Sequence, residues 1–239
     1  MDSLLNGFLQ AFNLILHLNP ELFGIIFLSL KVSGLALVLA TVFGLPFGAI
    51  AGLKRFPGQG LLVSLMNTFM GLPPVVVGLL VYLMLSRRGP LGFLGLLYTP
   101  SAMIIAQTIL AVPIVTALCY SAIVSVDPII RQAARTLGAT PLQEAAALIH
   151  EARYGIISAV IAAFGRVSAE VGSILIVGGN IAGYTRVMTT TIALETDKGN
   201  FELALALGII LLLLSFIINI ALHGVQKKGM YSPSHLDRP

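Results

Sequence analysis

The chain has 239 residues, 57% hydrophobic and only 10% charged, with a net charge of +4 and a mean hydropathy of +0.96. A soluble domain carries about 25% charged residues, so this chain lacks the polar surface to face water and reads as a membrane protein. The small basic excess contains no basic run interleaved with aromatics, which argues against nucleic-acid binding, and the single Cys119 excludes an intrachain disulfide or a cysteine-based metal site.

The N-terminus has no basic region before its apolar residues, so no cleaved signal peptide is expected. Residues 2–19 place Leu4, Leu5, Phe8, Leu9, Phe12 and Leu16 at helical spacing among Asn6, Gln10, Asn13 and His17. The apolar stretch is shorter than the ~20 residues a span needs, which predicts an amphipathic helix in the membrane interface. An extra span packed on its neighbours is the alternative.

Five longer apolar segments follow: Phe23–Leu53, Gly60–Leu85 with Pro73-Pro74, Ser101–Val126 with Pro113, Ile156–Val177 with Arg166 and Glu170, and Phe201–Val225. Each is long enough to cross a hydrocarbon core of ~30 Å at 1.5 Å per residue. Prolines inside them require neighbouring helices to satisfy the freed carbonyls, which argues for a bundle. Gly44, Gly48, Gly52, Gly71, Gly78, Gly165 and Gly172 permit close helix contacts. With five spans, eight Lys and Arg fall on the side of Lys54, residues 127–155 and the C-terminal tail, and four on the other. The positive-inside rule then puts that tail in the cytoplasm. Lys31, inside the first segment, either snorkels or lines a route.

Residues 127–155 form a polar island between the third and fourth segments, carrying Arg131, Arg135, Glu144, Glu151 and Arg153. Asp127 is a candidate N-cap with Pro128 at the first helical position. Gly138 suits a left-handed helix end, and Thr140-Pro141-Leu142-Gln143 has capping-box spacing. The island therefore reads as two short helices around a glycine turn. Arg131 and Arg135, four apart, share one side of the first. This helix is either a docking surface or a solvated connection between two spans.

Arg166 and Glu170 are spaced i,i+4 and are expected one above the other on a single helix face. Such charges at membrane depth either line a pathway or neutralise each other between helices. The stretch 177–186, with three glycines and Asn180, suits irregular backbone; its N–H groups, Thr185 and Arg186 either greet an anion or form an ordinary turn. No phosphate-binding loop, dinucleotide fingerprint or catalytic constellation is visible, and four scattered histidines disfavour a metal centre. An enzyme reading has only Glu170 and the lone histidines to rest on. A passive channel is a further rival.

The island resembles the cytoplasmic signature of permease subunits of ABC importers: Glu-Ala-Ala, three residues, Gly, nine residues, Ile, one residue, Leu-Pro. Here it stands as Gln132-Ala133-Ala134, then Gly138, then nine residues to Leu148, with His150-Glu151 in place of Leu-Pro. Gln132 replaces the usual Glu. DPIIRQAARTLGATP and FGRVSAEVGSILIVGGNIAGYTR resemble the molybdate, sulfate and tungstate branch. NTFMGLPPVVVGLLVYLMLSRRGPLGFLGLLYTPSAMIIAQTILA is closest to the tungstate type, with molybdate or sulfate as the alternative cargo.

The resemblance implies an all-α, type I importer-like bundle of about five spans. It divides the chain into the N-terminal helix 1–20, a transmembrane domain 21–226 with the coupling segment 127–155, and a cytoplasmic tail 227–239. It implies no cofactor bound by this chain, ATP used by a partner ATPase, an extracytoplasmic oxyanion-binding protein, a second permease chain and a prokaryotic plasma membrane. Gln132, Ala133, Ala134, Gly138 and Thr140 are the implied ATPase-coupling residues. Arg166, Glu170, Asn180, Thr185 and Arg186 are candidates for the pathway and its outer mouth.

Overall fold

The computed structural model describes Leu9, residues 20–54 and residues 56–230, with backbone alone for 20, 21 and 221–230. The N-terminal helix expected over residues 2–19 lies outside the described residues but for Leu9. Among the described residues there are helices and turns and no strand.

Helix α1 (Pro20–Leu53) has 34 residues and holds Pro46. At 1.5 Å per residue it is roughly 50 Å long, well beyond the ~30 Å hydrocarbon core. It packs along α4 (Pro100–Val124), which Thr99 caps by accepting the Ala102 N–H. The contact is built from glycine. A Cβ on Gly44 would lie 2.9 Å from Val115 Cβ, one on Gly48 2.5 Å from the Thr116 carbonyl oxygen, and one on Gly52 3.0 Å from Ile123 Cβ. The Gly48 Cβ would also lie 2.8 Å from Cys119 Cβ, so the facing side chains step from Val115 to Cys119 to Ile123 as the glycines step by four; α1 and α4 therefore run parallel with their backbones in close approach.

Parallel neighbours need a return path, and α2 (Gln59–Met70) with α3 (Pro74–Leu85) supplies it. The sequence predicts one span here; the structure has two 12-residue helices bent by 96°. The cause is local. Pro73 and Pro74 both lack the N–H that would continue the ladder, and Pro74 pushes Pro73 into extended backbone, with ψ of 122°.

After α4 come α5 (Pro128–Thr136) and α6 (Pro141–Ser168). The sequence predicts a second short island helix followed by a separate span from Ile156. In the structure both are one 28-residue helix. That span then breaks at residues 169–171, and α7 (Gly172–Gly178) completes it. Helix α8 (Met188–Asp197) and helix α9 (Phe201–Met230) form the last hairpin.

Helix α4 is the centre of the bundle: 61% of its most apolar window is buried, against 22% for α1 and α9. Val32, Val77, Val81, Met103, Ala106 and Val177 pack α1, α3, α4 and α7 together. Ala36, Ala40, Ala111, Val115, Ala163 and Val167 bring in α6. Phe43, Phe47, Ile50, Leu212, Phe216 and Ile217 stay exposed on the outer faces, as expected where lipid is the solvent. Among the described residues four helices are long and apolar enough to cross a membrane, and five spans, as expected, if the bent pair counts as one.

Gly48→Ala forces a methyl group against the Thr116 carbonyl and the Cys119 Cβ. It is expected to cost about 1–3 kcal/mol, read as a lower thermal midpoint in detergent. Gly34→Ala, where nothing lies within 4 Å, leaves the midpoint unchanged or slightly raised.

Candidate functional site

The polar tip folds as its caps dictate. The Asp127 carboxylate accepts the Ile129 N–H at 2.8 Å. Gly138 takes φ of 77°, and the Ala139 N–H reaches back to the Ala134 carbonyl at 3.0 Å. Thr140 and Gln143 form a reciprocal capping box.

One carboxylate then locks the tip. Glu144, on the first turn of α6, accepts Arg135 Nε at 2.8 Å and Nη2 at 3.0 Å, and Arg131 Nε lies 3.3 Å away. The shared side expected for Arg131 and Arg135 exists because both reach this group. Glu144 stabilises the Arg135 guanidinium in its charged form, chiefly by hydrogen bonding, and raises its already high pKa. Arg131 Nη2 also donates to the Leu53 carbonyl at 3.4 Å, a free group at the end of α1. The short helix is thereby tied to α6 and α1 at once.

What the brace presents outward is apolar. Leu137 is 86% exposed, Leu142 81% and Ile129 67%. Gln132, Ala133, Gly138 and Thr140 are exposed beside them and Ala134 is half-buried, so the five predicted coupling residues share one tip. Leu142 escaped the sequence reading because a leucine inside a helix start reads as core.

The other candidates lie where the fourth span breaks. Arg166 and Glu170 do not stack: α6 ends at Ser168, the i,i+4 register is lost, and no ion pair forms. Arg166 is exposed, whereas Glu170 is 5% exposed and turned inward. Its carboxylate accepts the Ser173 N–H at 3.1 Å and its carbonyl the Thr189 hydroxyl at 2.8 Å. Gln107 donates to the Val167 carbonyl at 3.1 Å. Its own oxygen and the hydroxyls of Ser168 and Ser173 are buried without partners. A cavity of about 10 Å³ among Ser29, Ser33, Gln107, Ser168 and Thr189 is the size of one water.

The loop from Gly179 to Val187 turns through left-handed Gly179, Asn180 and Gly183. Several of its amides are turned to partners within the protein. The Ile181 carbonyl accepts the N–H groups of Tyr184, Thr185 and Arg186 at 3.0–3.1 Å. Thr185 is fully buried; its hydroxyl donates to the Gly178 carbonyl at 2.6 Å and accepts the Ile181 N–H at 2.9 Å. The amides of residues 181 and 184–186 are thereby spent on the turn itself, and Thr185 is its internal fastening.

Arg186 is different. Nη2 makes only a 3.5 Å contact to the Asn180 carbonyl, and Nε is buried without a partner. Arg186 and Tyr184 face Lys31, Phe27, Leu28 and Gly24 of α1 across a cavity of about 370 Å³. Sequence reasoning left Lys31 out of the site because lysine stems usually snorkel. Behind Arg186, Glu195 is held by Lys198 at 2.9 Å and Asn200 at 3.0 Å. The Lys198 hydrogen bond is the main cause of a carboxyl pKa lowered from its usual value; burial opposes it, and the Arg186 charge helps.

Residues 44–228 match the family described as binding-protein-dependent transport system inner membrane component. The chain is similar to the tungstate uptake system permease protein TupB of Peptoclostridium acidaminophilum, 41% identical over 95% of this chain and 100% of that protein. It is 48% identical to a probable anion ABC transporter permease protein of Haloferax volcanii, over 80% of this chain and 84% of the relative. Its fold is shared with a chain of a bacterial alginate ABC transporter solved with an alginate pentasaccharide-bound periplasmic protein, at a TM-score of 0.73, 20% identity, and coverage of 97% and 88%.

Two outcomes follow from these contacts. Glu144→Ala releases both arginines, so trypsin cleavage after Arg135 in the intact protein accelerates several-fold; limited proteolysis reads it. Glu195 has a lowered folded pKa, so its contribution is complete above the unfolded carboxylate value and is lost as pH falls through the folded one. Amide protection across residues 195–204 drops in that acidic window, and Glu195→Gln flattens the pH profile, as hydrogen exchange reports.

Proposed function

This chain belongs to the family of binding-protein-dependent transport system inner membrane components, and from that membership we propose that the cargo it passes across the membrane is a tetrahedral oxyanion, tungstate. It is the membrane-spanning permease subunit of an ABC importer, a transport component rather than an enzyme. In such systems a partner ATPase uses ATP and a binding protein brings the substrate. The choice of tungstate is supported by the relative named for tungstate uptake, aligned over its whole length, and by the anion named for the Haloferax protein.

The observation that carries the mechanism is the braced tip. Segment 127–155 is the coupling segment and lies, with the tail 227–239, on the cytoplasmic side, as the Lys and Arg bias supports. Leu137 and Leu142 are the knobs that a cytoplasmic ATPase grips, with Gln132, Ala133, Ala134, Gly138 and Thr140 around them. Two copies of the chain stand side by side, one ATPase on each tip. When ATP closes the ATPases, each tip moves as a unit, because Glu144 and Arg131 leave it no independent freedom. Helix α6 carries that displacement unbroken from Pro141 to Ser168, where the chain turns at Glu170 toward α7 and the outer loop. ATP thereby shifts the population between inward- and outward-open states. Glu170, Asn180 and Thr185 hold the shape of the outer mouth, Arg186 faces it, and Arg166 lies lower on the route.

Proteoliposomes holding this chain, its ATPase and the binding protein are expected to take up tungstate only when ATP is supplied. Uptake of molybdate or sulfate with none of tungstate would move the cargo within the oxyanion class. Leu137→Asp with Leu142→Asp puts two charges into the docking surface and is expected to cut ATPase association at least about tenfold, since a buried unpaired charge costs several kcal/mol. Unchanged association and uptake would remove the tip from the coupling path.

A further inference from the structure

We infer that the cavity between Lys31 and Arg186 is a resident site for a tetrahedral dianion within the permease itself, separate from the binding protein. The inference rests on the oxyanion-permease reading and adds a place where the cargo stops.

The first argument is position. Val32 packs with Met103 in one core cluster, and α1 and α4 run parallel, so Lys31 stands about one turn below the start of α4. The apolar run from Leu22 to Leu30 lies above it on α1. Lys31 is exposed there, and a cation flanked by apolar residues favours a counter-charge or a wet cavity. Among the described residues Lys31 forms no ion pair, and its surroundings on the cavity wall are Gly24, Ile25, Phe27 and Leu28.

The second argument is the unspent donors. Arg186 has a buried Nε–H with no partner and one long contact at 3.5 Å. With only that long contact on Nη2, the outer end of the guanidinium keeps N–H donors for something outside the chain. Guanidinium presents a flat fork of donors suited to two oxygens of an oxyanion, and the lysine ammonium adds three more.

The third argument is the charge around the cavity. Its lining holds Lys31, Arg186 and the Tyr184 phenol and no carboxylate. Glu195 is the nearby acid. Its two oxygens are already taken by Lys198 and Asn200, so it stays near enough to feel the Arg186 charge without filling the site. Ile25 and Leu28 make part of the cavity wall apolar and half-buried, which strengthens attraction for a dianion where water is displaced. A volume of about 370 Å³ leaves room for the anion with part of its hydration.

A lipid headgroup phosphate has the same chemistry, and the test separates the two. The permease–ATPase complex, without binding protein and with ADP filling the nucleotide sites, is titrated with sodium tungstate by calorimetry. Nanodiscs of phosphatidylcholine alone are compared with discs containing phosphatidylglycerol. Saturable binding in both lipids is expected, weakened at least about tenfold, or 1.4 kcal/mol, by Lys31→Gln and by Arg186→Gln, and largely kept by Lys31→Arg. Binding abolished by phosphatidylglycerol would make the cavity a lipid site and overturn the inference. So would equal affinity in the double Gln variant, or no binding by the wild type while its uptake with binding protein is normal. Absence of uptake of every oxyanion by that assembled wild type would instead overturn the permease reading beneath it.

Discussion

A single carboxylate on the first turn of α6 sets how this molecule can move. Glu144 holds Arg131 and Arg135 of the neighbouring short helix, and Arg131 in turn reaches the last carbonyl of α1. None of these contacts is deeply buried, and exposed ion pairs contribute little to stability on their own, about 0–1 kcal/mol. Their consequence is geometric. A bidentate arginine fixes both distance and orientation, and the same arginine cannot follow α5 without α6. A force applied at Leu137 is therefore felt at the ends of two membrane helices. What the brace joins matters as much: α6 is continuous through the polar tip and into the apolar layer, with Ala152, Ala159 and Ala163 buried against the bundle. A short linker between tip and span would dissipate displacement that an unbroken helix transmits.

The opposite end of the bundle obeys a stricter rule. Backbone polar groups in an apolar layer must find partners inside the protein, and this chain interrupts α6 and α7 there. It meets the rule by local closure. Ile181 gathers three amides on one carbonyl, Thr185 bridges Gly178 and Ile181, and Thr189 satisfies Glu170. Among the described residues the buried side-chain atoms without a partner are Arg186 Nε, the Asn180 oxygen, and the Gln107, Ser168 and Ser173 oxygens. They lie around the break and its loop, where the helix is interrupted.

Most of the helices were legible in the sequence because their signals are local. Apolar length gave the spans, and Asp127, Gly138 and the Thr140–Gln143 box act within one turn of chain. The QAA-x3-G pattern of the island carried the family for the same reason: its residues are contiguous in the chain. What failed was continuity across distance. Pro73-Pro74 was readable as tolerable in a span, yet the pair breaks the helix and turns it by 96°. The Arg166–Glu170 pair assumed that α6 persists four residues further than it does. Nothing near Ala169 announces an end, because the residues there have ordinary helix propensities and tertiary contacts decide. Lys31 was legible as a charge in lipid. Its proximity to Arg186 joins positions far apart in the chain, and spacing carries no information on that.

The sparse chemistry of the outer mouth has its own logic. A receptor that captures a dianion from dilute solution needs many hydrogen bonds to replace hydration, and here Tyr184, Thr185 and Arg186 already spend their amides on the Ile181 carbonyl. Two cations and a phenol on an apolar wall attract an anion by charge while leaving most of its oxygens for water. Such a site binds weakly and without fine discrimination. A conduit works best under that condition, since an ion must be drawn in strongly enough to enter and weakly enough to leave. Tight selection placed here would hold an anion at a point where transport has to release it. The fold therefore fits a division of labour in which recognition happens before the membrane, and the permease supplies charge at the mouth and leverage at the tip.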